Sequence, residues 1–274
     1  MTQAASSIDP AADNTHYRGD LAAEGAKKIC ISIVSHAQIQ LIETLLHDIS
    51  AHCGGLSLEL ILTINLEETL TFDIDAFLFP VHVLRNRQAR GFGANHNAAF
   101  RHCHAPFFCV INPDIRLETD PFPALLSCLQ LRDVAVVAPA VLNPQREIED
   151  SVRHFPGPFG LMAKALNLED GRYPVELGAA PFAADWVGGM FMLFRASDFA
   201  AVDGFDEEFF LYYEDVDICT RLWKRGRRVM ACPQATVVHD ARYASHHNLR
   251  YLRWHVSSMG RYFRKHLFRL PNVS

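Results

Sequence analysis

Seven cysteines are scattered singly along the 274 residues, with no CxxC pair. No paired-cysteine motif is therefore available, and an odd count with members inside apolar runs (Cys30, Cys109) points to buried thiols of a reducing compartment. No apolar run approaches the roughly 20 residues that cross a bilayer, which excludes an integral membrane protein. The opening MTQAASSIDPAADNTHYRGD has no basic segment followed by an apolar stretch, so no secretory signal is expected, and a cytoplasmic location follows. Internal repeats and low-complexity linkers are absent between residues 27 and 245. Residues 250–274 contain no acid, yet carry Arg250, Arg253, Arg261, Arg264, Lys265 and Arg269. Because the whole chain has a net charge of -5, the remainder is strongly acidic. That split excludes a uniform nucleic-acid surface and permits a local basic end facing an anionic partner.

What is present is enough for a packed core: 49% of residues are hydrophobic and 21% are charged. Residues 1–26 read as a mobile leader. From there, apolar runs alternate with helical patterns. KICISIV (28–34), LELILTI (58–64), VHVL (81–84), FFCVIN (107–112) and VAVVAPAV (134–141) read as strands, with helices over 38–52, 92–103 and 120–131. Runs that are apolar throughout suit strands covered on both faces, and their alternation with helices predicts an α/β, doubly wound, mostly parallel sheet. Five prolines between 142 and 182 predict a long connection with one short helix near 159–168. WVGGMFMLF (186–194) is strand-like, 214–226 reads as a helix closed by Gly226, and RVMAC and ATVVH (228–239) as two short strands.

Five places carry chemistry. Asn112-Pro113-Asp114 follows a strand, where open α/β sheets gather ligands, and its carboxylate suits a divalent cation; an Asx-Pro turn explains it equally well. In the block from Phe209 to Asp217, helical phase puts Asp215 on one face with Ile218, Cys219 and Leu222. Asp217 pairs with Arg221 as an ordinary i,i+4 surface pair. An inward carboxylate is costly without purpose, and burial makes it a good general base, so Asp215 is the candidate base. His239 follows an apolar strand; it reads as a packed residue or as a ligand of a Mn²⁺-type site. Asn86–Asn97 is a glycine-containing turn entering a helix, able to approach phosphate, with Arg90 able to pair with a diphosphate; a capped polar loop is the alternative. It is neither a Walker loop nor a dinucleotide fingerprint. In the tail, Leu249, Leu252, Val256, Met259, Phe263 and Leu267 form one stripe beside a basic one, which fits an interfacial helix or a terminal helix docked on the core.

In this order the pieces resemble the inverting family 2 glycosyltransferases of the GT-A fold, especially the bacterial rhamnosyltransferase-like branch. The likeness runs through Ile33-Val34-Ser35-His36, the glycine-containing segment NRQARGFGANHN from Asn86 to Asn97, and N-P-D at 112–114 as the local form of DxD. It continues through W-x-x-G-x-x-x-L-x-R from Trp186 to Arg195, G-F-D-E-x-F-F-x-Y-x-E-D-x-D from Gly204 to Asp217, and V-x-H at 237–239. The resemblance implies a GT-A domain over 27–245 with a nucleotide-binding N-terminal half, followed by a basic amphipathic helix over 246–274. It implies Asp215 as catalytic base; Glu214, Asp185 and Trp186 at the acceptor; and Ser35, Asn65, Arg90, Asn112 and Asp114 at the donor. Asp114 and His239 would hold Mg²⁺ or Mn²⁺. A dTDP-, UDP- or GDP-sugar would be the donor and a saccharide or lipid-linked saccharide the acceptor, in surface polysaccharide synthesis. Peripheral contact with the membrane and a homodimer are compatible with it. Three positions depart from the family pattern: Ile64 stands where an acid reads the base, with Glu67 or Glu68 as substitutes; His36 stands where an Asn is usual; and Asn112 replaces the first acid of DxD. A sugar nucleotidyltransferase is opposed by the lack of Lys or Arg over 35–46. A non-catalytic carbohydrate-binding relative is opposed by intact Asp114 and Asp215.

Overall fold

The computed structural model describes residues 28–157, 171–240, 249–267 and 269–273. The expected leader and the short helix near 159–168 lie outside the described residues. The chain runs β1 (Lys28–Ser35), α1 (Ile39–His52), β2 (Ser57–Ile64), a 3₁₀ turn (Ile74–Ala76), β3 (Val81–Arg85), α2 (Phe92–Phe100), β4 (Phe107–Ile111) and β5 (Ile115–Arg116). It continues through α3 (Phe122–Cys128), β6 (Val134–Leu142), β7 (Val152–Arg153), β8 (Phe182–Ala183), β9 (Trp186–Val187) and β10 (Phe191–Arg195). The last elements are α4 (Ala196–Ala201), α5 (Glu214–Lys224), β11 (Arg228–His239) and α6 (Leu249–His266).

The central sheet has nine strands in the order β3-β2-β1-β4-β10-β6-β11-β5, with β8 paired to β11. Strands β3, β2, β1 and β4 are parallel, as are β6 and β11. β10 runs antiparallel between β4 and β6. The apolar runs form strands because both faces are covered: β6 is buried at every position. One core layer lies beneath α1 and α3 and includes Ile31, Leu46, Leu60 and Phe122. The other lies beneath α2, α4 and α5 and includes Phe108, Phe194, Phe199 and Leu222. Each fully buried large side chain contributes roughly 1.5–3 kcal/mol of hydrophobic stabilisation. All seven cysteines are buried and free.

Three local expectations are corrected. The two short strands expected over 228–239 are one strand, broken in register between Cys232 and Thr236 around Pro233, which cannot donate to the ladder. The strand expected over 186–194 is split by the turn at Gly189-Met190 into β9 and β10. The 186–187 half pairs with β7 in a separate two-stranded sheet. Finally, Asp217 is not on the surface: it is fully buried, whereas Asp215 is half-buried. The phase argument assigned α5 one buried face; α6 packs against another and covers Asp217.

The topology gathers the site at one edge. β1, β2 and β4 end together there, at Ser35, Ile64 and Ile111, with Asn65 and Asn112 just beyond. The antiparallel β10 enters from that edge, so Met190 O accepts from Asn112 N at 2.9 Å. β11 ends there too, and its pairing of His239 with Ile115 places His239 beside Asp114.

Two loops meet at that edge with no spare room. Asn97 Nδ2 donates to Phe205 O (2.8 Å) and Phe205 N to Asn97 Oδ1 (2.9 Å), tying α2 to the 204–210 segment. Gly204 sits at φ +65°, and a Cβ there would lie 2.3 Å from Asn97 Oδ1. Gly204→Ala is therefore strained by both backbone and contact, and should lower unfolding stability by about 1–3 kcal/mol, read by chemical denaturation.

Candidate active site

A cavity of about 490 Å³ opens at the carboxyl edge of the sheet. Its polar wall includes His36, Asn65, Arg90, Asn112 and Asp114, and its aromatic wall includes Phe92, Phe210, Tyr251 and Trp254. The last two come from α6, so the tail helix forms part of the cavity. Phe210 and Trp254 face each other at 4.7 Å between ring centroids. A second cavity of about 370 Å³, beyond Asn65, is lined by Glu67, Arg85 and Arg87.

Asp114 and His239 are in contact: His239 Nε2 lies 3.2 Å from Asp114 Oδ2. His239 Nδ1 donates to Glu149 Oε2 at 2.7 Å. Burial alone would lower the imidazole's pKa, but the flanking carboxylates of Asp114 and Glu149 outweigh it and raise the pKa to about 9. Asp114 Oδ1 is buried without a hydrogen-bond partner. An orphaned carboxylate oxygen beside an imidazole whose other nitrogen is fixed by an acid fits a divalent cation. Glu149 was not among the residues expected from sequence. Its only signal is an acid-rich stretch, Glu147-Ile148-Glu149-Asp150, past the end of β6.

Asp215 lies in the first turn of α5, where its Oδ2 accepts from Gly189 N (3.1 Å) and its Oδ1 from Val216 N (2.8 Å). Burial raises its pKa; the two amide bonds work the other way. Gly189 joins the parts of the site. A Cβ there would lie 3.2 Å from the Phe92 ring and 3.8 Å from Asp215 Cβ, and the next residue, Met190, binds Asn112. Asp215 is not among the residues lining the larger cavity, whereas Phe92 and Asp114 are. Glu214 is buried, one carboxylate oxygen has no partner, and desolvation followed by repulsion from Asp215 raises its pKa well above the carboxylate range.

The remaining expected residues have internal partners. Asn65 spends its whole amide: Oδ1 accepts from Asn86 Nδ2 (2.8 Å) and Arg90 N (2.8 Å), while Nδ2 meets His36 Nδ1 (3.1 Å) and Arg90 O (3.0 Å). Arg90 pairs with Glu207 at 3.2 Å. Ser35 Oγ accepts from Gln38 N at 3.2 Å. Asp185 accepts from Tyr173 OH (2.6 Å) and Phe155 N (2.7 Å), and Trp186 Nε1 donates to His154 O (3.0 Å). These bonds pin the connection before β8. The first amide of α2 is taken: Phe92 N donates to Phe210 O at 3.0 Å, and a Cβ at Gly91 would lie 2.6 Å from that oxygen. The α1 N-terminus is also taken, by Glu68 accepting from Ala37 N and Ile39 N, both at 3.2 Å. Glu67 is exposed and lines the smaller cavity.

Known proteins sharing this architecture decide the family. The family model described as "Glycosyltransferase like family 2" matches residues 33–261. The chain belongs to this family. The rhamnosyltransferase WbbL of Escherichia coli K12 is 32% identical over 187 residues, covering 63% of this chain and 69% of that protein. The N-acetylglucosaminyl-diphospho-decaprenol L-rhamnosyltransferase of Mycobacterium tuberculosis H37Rv is 29% identical over 52% of this chain, which spans about half (53%) of that relative's length. In fold, this family 2 chain is similar to GalNAc-T7 with UDP, GalNAc and Mn²⁺ (TM-score 0.65, 13% identity, 88% of this chain and 48% of that one). It is also similar to the Pyrobaculum calidifontis mannosyltransferase PcManGT with GDP-Man and Mn²⁺ (TM-score 0.62, 15% identity, 94% and 69%). The fold is GT-A and the chain is a glycosyltransferase. If Asp114 holds a cation, Asp114→Ala should abolish the Mn²⁺-dependent part of UDP, GDP or dTDP binding, read by calorimetry.

Proposed function

We propose that this chain transfers a sugar, with rhamnose the leading candidate, from a nucleotide-sugar to a hydroxyl of a saccharide or lipid-linked saccharide, with inversion, in surface polysaccharide synthesis. The observation that carries the reading is Asp215, a half-buried carboxylate bonded to Gly189, whose neighbour Met190 binds Asn112. Its raised pKa suits it to take a proton. The acceptor O–H gives its proton to Asp215 as the oxygen attacks the anomeric carbon. The bond from that carbon to the diphosphate breaks on the opposite face, and its electron pair leaves with the nucleoside diphosphate. Asp114 and His239 would hold Mg²⁺ or Mn²⁺, whose charge offsets that developing on the leaving diphosphate; the imidazole favours Mn²⁺. Glu149 keeps the His239 ring oriented. Asn65 and Asn86 shape the donor wall, and Glu67 is the acid available to a base or ribose near Ile64. The occupied α1 N-terminus, together with the lack of basic residues over 35–46, disfavours a nucleotidyltransferase.

Asp215→Asn should leave the chain folded and nucleoside diphosphate binding unchanged, while lowering turnover at least roughly 10²-fold. Nucleoside diphosphate release from a panel of dTDP-, UDP- and GDP-sugars with Mn²⁺ measures this; undiminished turnover in the variant removes Asp215 as base. In the wild type, turnover should fall with decreasing pH at a value above the ordinary aspartate range, because the base is lost once protonated.

The tail supports a peripheral membrane contact. Among the described residues of α6, Ser258, Tyr262 and His266 are buried, while Leu252 (59% exposed), Val256 (52%) and the adjoining Leu267 (64%) face outward. Exposed Arg253 and Arg264 flank them. An outward apolar stripe with basic neighbours matches an anionic lipid surface, and the same helix walls the cavity, which would set its mouth beside a lipid-linked acceptor. Leu252→Glu with Val256→Glu should reduce co-sedimentation with phosphatidylglycerol vesicles several-fold; unchanged sedimentation overturns the contact.

A further inference from the structure

α6 does more to the site than wall it. Asp217 is fully buried and receives three basic groups. Arg221 Nε lies 2.7 Å from Oδ2, while Lys265 Nζ (2.7 Å) and His266 Nε2 (2.9 Å) share Oδ1. His266 Nδ1 meets Lys224 Nζ at 2.8 Å. An ammonium only donates, so Nδ1 accepts and the ring proton sits on Nε2, directed at Asp217. Lys265 also reaches Asp206 at 2.7 Å, and Arg261 pairs with Glu208. Ser258 Oγ donates to Leu211 O (2.9 Å), and Tyr262 OH shares a hydrogen bond with Thr220 Oγ1 (2.9 Å). One helix therefore grips the 206–220 stretch along its length. Lys265 and His266 lie beyond residue 261, where the family match ends.

The gripped stretch is strained where it matters. Tyr212 and Tyr213 both adopt φ +69°, a left-handed conformation that persists only when surroundings enforce it. The turn they make delivers Glu214 and Asp215, and Asp217 N closes it by donating to Tyr213 O at 2.8 Å. We propose that Lys265 and His266 are positioning residues that, through Asp217, hold the strained turn closed and so fix the Asp215 carboxylate against Gly189. The inference rests on the reading of Asp215 as the base, but its geometry can be tested without any substrate.

Gly189 supplies the readout. Its amide donates to Asp215 Oδ2 from a different part of the chain. Loosening of α6 alone would leave it protected. Amide exchange should be followed on the full chain carrying His266→Leu, His266→Gln or Lys265→Met. In His266→Leu the Gly189 and Val216 amides should exchange at least tenfold faster, with β1 and β4 amides unchanged. His266→Gln, which keeps an N–H donor for Asp217, should restore most of the protection. Unaltered Gly189 exchange in folded His266→Leu, or in Lys265→Met should the first variant fail to fold, overturns the proposal. If the proposal holds while Asp215→Asn retains turnover, the positioning stands and only the base assignment falls.

Discussion

The backbone at Tyr212 and Tyr213 is the constraint on which the site depends. Two successive non-glycine residues in the left-handed region cost on the order of 1–3 kcal/mol each, so the conformation must be imposed from outside. Three neighbours impose it. The turn before α2 takes the Phe210 carbonyl, Asn97 clamps Phe205, and α6 holds Leu211, Asp206 and Asp217. The small size of Gly91 and the positive φ of Gly204 are consequences of the same crowding, because a side chain at either position would push the segment away from its clamps. What the strain achieves is placement. It turns the chain sharply enough for Asp215 to start a helix and still face the entrance to β10.

The strands were legible because burial on both faces leaves an uninterrupted apolar signature, as β6 shows over its whole length. The direction of β10 was not, since composition is the same whichever way a strand runs, and that direction brings Met190 and Gly189 to the ligand edge. Asp114 and His239 were singled out separately as following strands, and their contact is a product of β5–β11 pairing that no local pattern encodes. Glu149 was missed for the same reason: its partner lies 90 residues away. The phase of α5 made Asp215 the inward carboxylate and Asp217 the outward one, whereas Asp215 is half-buried and Asp217 fully buried, because the covering helix enters from far along the chain. Asn65 and Arg90 illustrate the opposite limit. Their positions at the cavity were legible, while the hydrogen bonds that commit the Asn65 amide to the loop over 86–95 depend on the relative placement of two strand ends.

The Asp114–His239–Glu149 cluster shows why a cation suits this corner. Two carboxylates face one imidazole, and even a protonated ring leaves an excess of negative charge, with one Asp114 oxygen lacking any donor. Desolvation makes such an excess costly, and a divalent ion bound through oxygen and, once its proton leaves, imidazole nitrogen would relieve it. The outer bond from Nδ1 to Glu149 fixes which nitrogen faces inward, so the ring need not reorient when the charge arrives.

Within four residues of one helical turn, three carboxylates meet three different fates. Asp217 is buried, which would raise its pKa, yet His266, Arg221 and Lys265 hold it down at about 2. Glu214 is also enclosed, and desolvation, then repulsion from Asp215, drives its pKa well upward. Asp215 lies between these limits, raised by burial and eased by two amide donors that stabilise its anion. Position in the helix cannot account for the difference, since all three sit near the same positive dipole end. The partners brought by other elements do. α6 brings Lys265 and His266 to Asp217, while Asp215 takes its donors from Gly189 and Val216. A carboxylate whose pKa is raised by burial holds a newly received proton more readily than an ordinary aspartate, which would suit a general base.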